Sequence, residues 1–141
     1  MINVLFVCIH NSARSQMAEA FLNHFGNGHF HAQSAGIEPG KLNPVVIEAM
    51  YEVGFDISGN ATKSVDDMLC SKQLFDYVIT VCDEASAERC PVFPGPGKRL
   101  HWGFPDPSSF EGTQAEKFAR TAEVRNSISL RVQEFVKEIA G

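Results

Sequence analysis

A single α/β domain, with a mainly parallel sheet covered by helices on both faces, is what this 141-residue sequence predicts. Three observations carry the prediction. Short, β-branched apolar runs occupy residues 2 to 8 and 76 to 82, too continuous for half-exposed strands and too short for helices. Apolar stripes with helical spacing lie between and after them. Strand-then-helix alternation winds into a parallel sheet with right-handed crossovers. The length suits one domain, residues 1 to 141, and 44% hydrophobic residues suffice for a core.

The first run, Ile2 to Cys8, stops at the turn-forming His10-Asn11-Ser12 and reads as a buried strand. From about Ala13 to Phe25, Met17, Phe21 and Phe25 recur every fourth residue beside Ala18 and Leu22, an amphipathic helix ended by Gly26. Residues 29 to 34 form a second strand closed by Ala35-Gly36. Asn43-Pro44 offers an N-cap and a first-turn proline to a helix that buries Val46, Ala49, Met50 and Val53, with Gly54 past its end. After the Gly59-Asn60 turn, Ser64-Val-Asp-Asp67 starts a short third helix, in which Cys70 is expected to pack among apolar neighbours. Asp76 to Cys82 is the next strand. Residues 91 to 107 are rich in proline and glycine and read as loop, with a short edge strand over Arg99 to Gly103. Thr113-Gln-Ala-Glu116 caps a long last helix whose inner stripe is Phe118, Ile128, Val132, Phe135 and Ile139.

A formal net charge of -5 argues against a general nucleic-acid or anionic-membrane binder, since both partners demand a basic surface. No run is long enough to cross a bilayer or act as a secretory signal, so a cytoplasmic protein is expected. In that reducing compartment the four cysteines are not static staples; each is filler, ligand, nucleophile or redox partner. Zinc is not expected, because no C-x2-C pair or suitable histidine accompanies them.

Ligands of open parallel sheets bind outside the carboxyl ends of the strands, where Cys8 and Cys82 both fall. Cys8-Ile9-His10-Asn11-Ser12-Ala13-Arg14-Ser15 has the spacing C-x5-R-S between strand and helix. Five intervening residues can wrap backbone N–H groups around a tetrahedral dianion at a helix N-terminus. Arg14 can then hold two oxygens with its planar fork while Cys8, as thiolate, lies in line beneath the central atom. Asn11, Ser12 and Ser15 can pin the loop or donate to the sulfur. His10 reads as a solvent-exposed loop residue.

Further motifs extend this pattern: Gln-Met-Ala-Glu19 after Ser15, Ser34-Ala-Gly36, Asp56-Ile-Ser-Gly59, Thr80-Val-Cys82 and His101-Trp-Gly-Phe-Pro-Asp-Pro107. On these residues, which span nearly the whole chain, the sequence resembles the thioredoxin-coupled arsenate reductases, which share the low-molecular-weight protein tyrosine phosphatase fold. The resemblance implies a four-stranded parallel sheet flanked by helices. It also implies Cys8 as nucleophile, Arg14 as clamp, residues Ile9 to Ser15 as oxyanion cradle, and Asp106 as general acid. Arsenate would be the substrate, with phosphate or sulfate as analogues. Cys82 would attack the Cys8 adduct and release arsenite, Cys90 would attack Cys82, and thioredoxin would reduce the resulting pair, serving detoxification and arsenic resistance. No tightly bound cofactor is implied, although a potassium site in some relatives maps onto Asn11, Glu19, Ser34 and Asp66 or Asp67. A monomer is expected, engaging neither nucleic acid nor membrane.

If 82 to 90 were helical, its ends would lie about 12 Å apart at 1.5 Å per residue, whereas Cα atoms joined by a disulfide lie within about 7 Å. The stretch from 82 to about 97 must therefore loop or unwind in turnover, with Gly95-Pro96-Gly97 as the expected hinge. Two alternatives remain open at this point. A tyrosine phosphatase of this fold would use the same cradle, but Ser108-Ser109 stand where aromatic residues grip the phenyl ring, so only weak hydrolysis of small aryl phosphates is expected. A non-enzymatic redox sensor or oxyanion-binding module would have no use for Asp106.

Overall fold

The computed structural model describes residues 1–83, 87–95 and 97–140. Four strands, β1 (Ile2–Cys8), β2 (Phe30–Gly36), β3 (Tyr77–Thr80) and β4 (Lys98–His101), form one sheet in the order β2-β1-β3-β4. Every pairing is parallel, with Cys8 opposite Gly36 and Val7 opposite Thr80, so the carboxyl ends of the central strands form one edge. The order reverses between β1 and β3, which makes the end of β1 the crevice where such sheets take ligands.

Among the described residues the bounded helices are α1 (Arg14–Phe25), α2 (Pro44–Glu52), α3 (Val65–Cys70) and α4 (Gln114–Ala140), with a 3-10 turn at Pro107–Ser109. Alternation along β1 divides the core. Val4, Phe6 and Cys8 face Met17 and Leu22 of α1 and Ile128, Val132 and Phe135 of α4. Leu5 and Val7 face a smaller cluster that includes Val65, Met68, Phe75, Val78 and Cys90. Trp102 seals the larger side, its ring 5.8 Å from Phe6 and 5.4 Å from Phe135.

Several boundaries differ from the sequence reading. The second strand runs on to Gly36, because the ladder with β1 continues through Cys8. β3 ends at Thr80, so Val81 and Cys82 lie beyond the strand although both are fully buried. The edge strand begins at Lys98 and ends at His101. Val53 is 42% exposed because it is the C-cap of α2 rather than part of its inner face. Ile139 is exposed and Phe118 half-buried, so the inner stripe is narrower than its spacing suggests.

Arg125, by contrast, is buried on the α4 stripe, where it donates to the Ala49 carbonyl at 2.8 Å and to Glu52 at 2.7 Å, tying α4 to the end of α2. A hydrophobic pattern passes over such a residue because its stem packs while its head finds oxygen. Cys70 is exposed at the last position of α3 and does not pack in the core. The stretch from Asp83 to Cys90, which could be helical by its sequence, and the hinge expected at 95–97 fall partly on residues 84–86 and 96, outside the described residues.

Candidate active site

The loop from Cys8 to Arg14 is shaped from outside by a strap, residues 36–43, that leaves the end of β2. Ile37, Glu38, Gly40 and Asn43 donate their backbone N–H groups to the carbonyls of Cys8 (3.1 Å), Ile9 (2.7 Å), His10 (3.0 Å) and Ser12 (3.0 Å). In a planar trans peptide the C=O and the next N–H point opposite ways. The strap therefore turns the N–H groups of residues 9, 10, 11 and 13 toward the concave side, which is the nest the spacing implied. The Asn11 N–H reaches Cys8 Sγ at 3.2 Å, as that orientation requires.

Gly36 permits the close approach. A Cβ there would lie 2.8 Å from each of three loop backbone atoms: Asn11 N, His10 C and Ile9 O. Asn11 itself is fully buried at φ 54, a conformation asparagine tolerates better than most residues. Its side chain holds the loop from within, accepting from Gln16 Nε2 (3.1 Å) and the Lys63 N–H (2.9 Å) and donating to Ser15 Oγ (2.8 Å).

Ser15 Oγ also lies 2.8 Å from Cys8 Sγ. With Cys8 as thiolate, the hydroxyl proton of Ser15 points to the sulfur while its oxygen accepts from Asn11. Cys8, 2% exposed, has two donors within reach, the Ser15 hydroxyl and the Asn11 N–H. Ala13 offers no side-chain cap to α1, so the N–H groups of its first turn remain available to an anion.

Arg14 is buried beside the cradle. One terminal nitrogen donates to the Phe104 carbonyl at 3.1 Å, the other faces Asp106 Oδ2 at 3.7 Å, and its buried Nε has no hydrogen-bond partner. A donor stranded in this way fits a bound oxyanion. Asp106 is half-buried at the start of the 3-10 turn, its Oδ1 accepting from the Ser108 N–H at 3.0 Å. The second oxygen is left facing the cradle.

Cys82 belongs to the same buried cluster as Cys8. Burial pushes its thiol up to about 11, the positive charge of Arg14 pulling weakly the other way. Cys90 is also buried but in the opposite cluster, beneath Leu5 and Val7, and burial raises its thiol too. Arg99 holds that stretch by donating to the carbonyls of Cys90, at 3.0 Å, and Ala87. The three buried cysteines are therefore divided, Cys8 and Cys82 on one face of the sheet and Cys90 on the other.

The four positions mapped to potassium are largely committed to other partners. Glu19 accepts from Ser34 Oγ at 2.9 Å and has the Lys63 ammonium 3.8 Å away, while Asn11 Oδ1 already serves two donors. Burial pushes the Glu19 carboxyl up, and Lys63 supplies the opposing positive charge. Asp66 is exposed in the first turn of α3, and it hydrogen-bonds to none of the other three among the described residues. This donor set does not fit a resident potassium ion. His10 is exposed, but its Nδ1 lies 2.7 Å from the Glu38 carbonyl and helps pin the strap. The strap, Gln16, Lys63 and Arg99 were not anticipated from sequence; Gly36 was the visible sign that another backbone passes close by.

Comparison with known proteins places this architecture. The model of the low molecular weight phosphotyrosine protein phosphatase family matches residues 3–141. An arsenate reductase of Bacillus subtilis is 41% identical over 134 residues, which cover 95% of this chain and 94% of that one. A solved arsenate reductase in its phosphate-binding state superposes with a TM-score of 0.77 at 32% identity, covering 99% of this chain and all of that one. A thioredoxin-dependent arsenate reductase of Corynebacterium glutamicum is 30% identical with a TM-score of 0.64, over 94% of this chain and 62% of that chain.

Proposed function

The chain belongs to the low molecular weight phosphotyrosine protein phosphatase family, and from that premise we propose that it reduces arsenate to arsenite through Cys8, Cys82 and Cys90. The observation that carries the reading is the second buried thiol beside the first: Cys82 shares the cluster of Cys8 and feels its charge. A hydrolase needs water at that point, not sulfur.

In this mechanism the cradle and Arg14 bind arsenate, and the Cys8 thiolate attacks arsenic while Asp106 protonates an oxygen that leaves as water. Cys82 then loses its proton and attacks the Cys8 sulfur. The electron pair of the sulfur–arsenic bond returns to arsenic, arsenite departs, and a Cys8–Cys82 disulfide remains. Cys90 attacks Cys82 and frees the Cys8 thiolate, and a thioredoxin dithiol reduces the Cys82–Cys90 pair, so two electrons pass for each arsenate. Cys90 must leave its apolar cluster for that step, because it rests on the far face of the sheet from Cys8. Phosphate would bind the same cradle as an analogue. The described residues include no helix long and apolar enough to cross a membrane.

The test is one anaerobic turnover of the fully reduced protein with arsenate, followed by mapping of the disulfides. Cys8–Cys82 and Cys82–Cys90 linkages are expected, the second lost on adding reduced thioredoxin. Neither linkage forming would sink the reductase reading. Rapid, catalytic hydrolysis of aryl phosphates in the same preparation would favour the phosphatase instead. Oxyanion-dependent thiol oxidation that persists unchanged in Asp106→Ala would favour a sensor.

A further inference from the structure

We infer that Asn43 is a positioning residue that keeps the Asp106 turn in register with the oxyanion cradle. The inference rests on the reading of Asp106 as the proton donor to the leaving oxygen. Three of the hydrogen bonds of Asn43 run in three different directions. Its backbone N–H donates to the carbonyl of Ser12 in the cradle at 3.0 Å. Its Oδ1 accepts the Val45 N–H at 2.9 Å and so caps α2, which Arg125 in turn ties to α4. Its Nδ2 donates to Ser108 Oγ at 3.0 Å. The Ser108 N–H meanwhile holds Asp106 Oδ1 at 3.0 Å, so one residue connects the cradle wall, a packed helix and the carboxylate's own partner.

The arrangement matters because the other tie is shared with substrate. Arg14 reaches the acid loop through Phe104 and faces Asp106 at 3.7 Å. A dianion in the cradle competes with Asp106 for that guanidinium, which weakens the restraint when the proton must be delivered. The Asn43–Ser108 bond does not involve the anion and persists. Proton transfer needs its partners within hydrogen-bond reach, so a small loss of register costs rate rather than affinity. A neutral carboxamide does this without adding charge beside the acid.

Two substitutions isolate the bond. Ser108→Ala removes the acceptor at an exposed position, and Asn43→Ser keeps an N-cap oxygen for α2 but is too short to reach residue 108. The measurement is arsenate-dependent loss of free thiols in a single turnover, for each variant, for the pair, and for each in a D106N background. Each single variant should slow the maximal rate about fivefold, with the half-saturating arsenate concentration unchanged. The double variant should be no slower than the slower single, and neither substitution should slow D106N further.

A similar slowing within D106N, or an effect on half-saturation instead of rate, would overturn the inference and assign the bond to the cradle. D106N that is slow while Ser108→Ala runs at the wild-type rate would overturn it alone. D106N as fast as wild type would remove Asp106 as the acid, and Asn43 with it. Wild-type thiols that survive arsenate would sink the functional reading and the inference together.

Discussion

The cradle around Cys8 and the stretch that carries Cys90 lie on opposite faces of one sheet and are held by opposite means. At the cradle, four carbonyls are tied to the strap, and a buried chain of polar groups runs from Gln16 through Asn11 and Ser15 to the sulfur. At Cys90, apolar packing does most of the holding, supplemented by Arg99 on two carbonyls and an exposed Arg89–Glu38 ion pair. The difference follows from what each region has to do. A site that binds an anion gains when its dipoles are fixed beforehand. In the proposed relay Cys90 would have to cross the sheet edge, a movement that few and separable restraints favour.

Replacing Gly36 with alanine should break the first region most severely. The added Cβ meets three backbone atoms of the loop at 2.8 Å, and none can rotate away as a side-chain tip would. We expect a loss of about 3 kcal/mol in denaturant titration, the upper end for overpacking, together with loss of phosphate binding by calorimetry. Retained phosphate affinity would mean that the strap does not shape the nest.

Next in size is Ser15→Ala, which removes the donor to Cys8 Sγ and leaves the Asn11 amide without its acceptor. Iodoacetamide labelling of Cys8 at neutral pH should slow by about tenfold, as expected for one lost hydrogen bond to a charged group. Unchanged labelling would show that the backbone N–H groups alone sustain the thiolate.

Cys82, buried in the same cluster as Cys8, makes the first region sensitive to pH. Its folded-state thiol is raised from an ordinary 9.0 to about 11 by burial, so the fold favours the neutral form. That contribution is complete below about pH 9 and is lost as pH climbs toward 11. Unfolding of the reduced protein, followed by circular dichroism, should show a decline on the order of 1 kcal/mol over that window. Cys82→Ala should reduce the decline, leaving the part that the raised Cys90 thiol contributes. An equal decline in that variant would assign it to other groups.

The smallest effect belongs to Arg99→Met, which removes two donors from the Cys90 stretch while leaving its apolar cluster in place. Amide hydrogen exchange over residues 87–93 should quicken by about threefold, and exchange in the cradle should not change. Acceleration in both regions would mean that they open as one unit, contrary to the division drawn here.

Much of the fold was legible because its signals are local. The strand Ile2–Cys8, the helix that begins at Arg14, the Asn43 and Ser64 caps and the parallel order all follow from patterns a few residues long. Errors gathered where tertiary contacts override pattern. Ile139 has the right spacing but stays exposed beside the amino ends of β1, β3 and β4, and Arg125 has the wrong polarity but finds two oxygens. Cys70 sits among apolar neighbours in sequence, yet the last residue of α3 projects from the core.

By itself, then, the sequence determined the strand, loop and helix that present Cys8 and Arg14, since the spacing of seven consecutive residues suffices to build that unit. Tertiary structure alone decided what orients the loop and where the other thiols rest. Asn11 is held by Lys63, 52 residues away, and the strap reaches the loop only because β2 pairs with β1 in a register that sets Gly36 opposite Cys8. The face that Cys90 occupies depends on which side of the sheet its chain returns to. No local pattern encodes such a choice, because it is set by packing between segments distant in sequence.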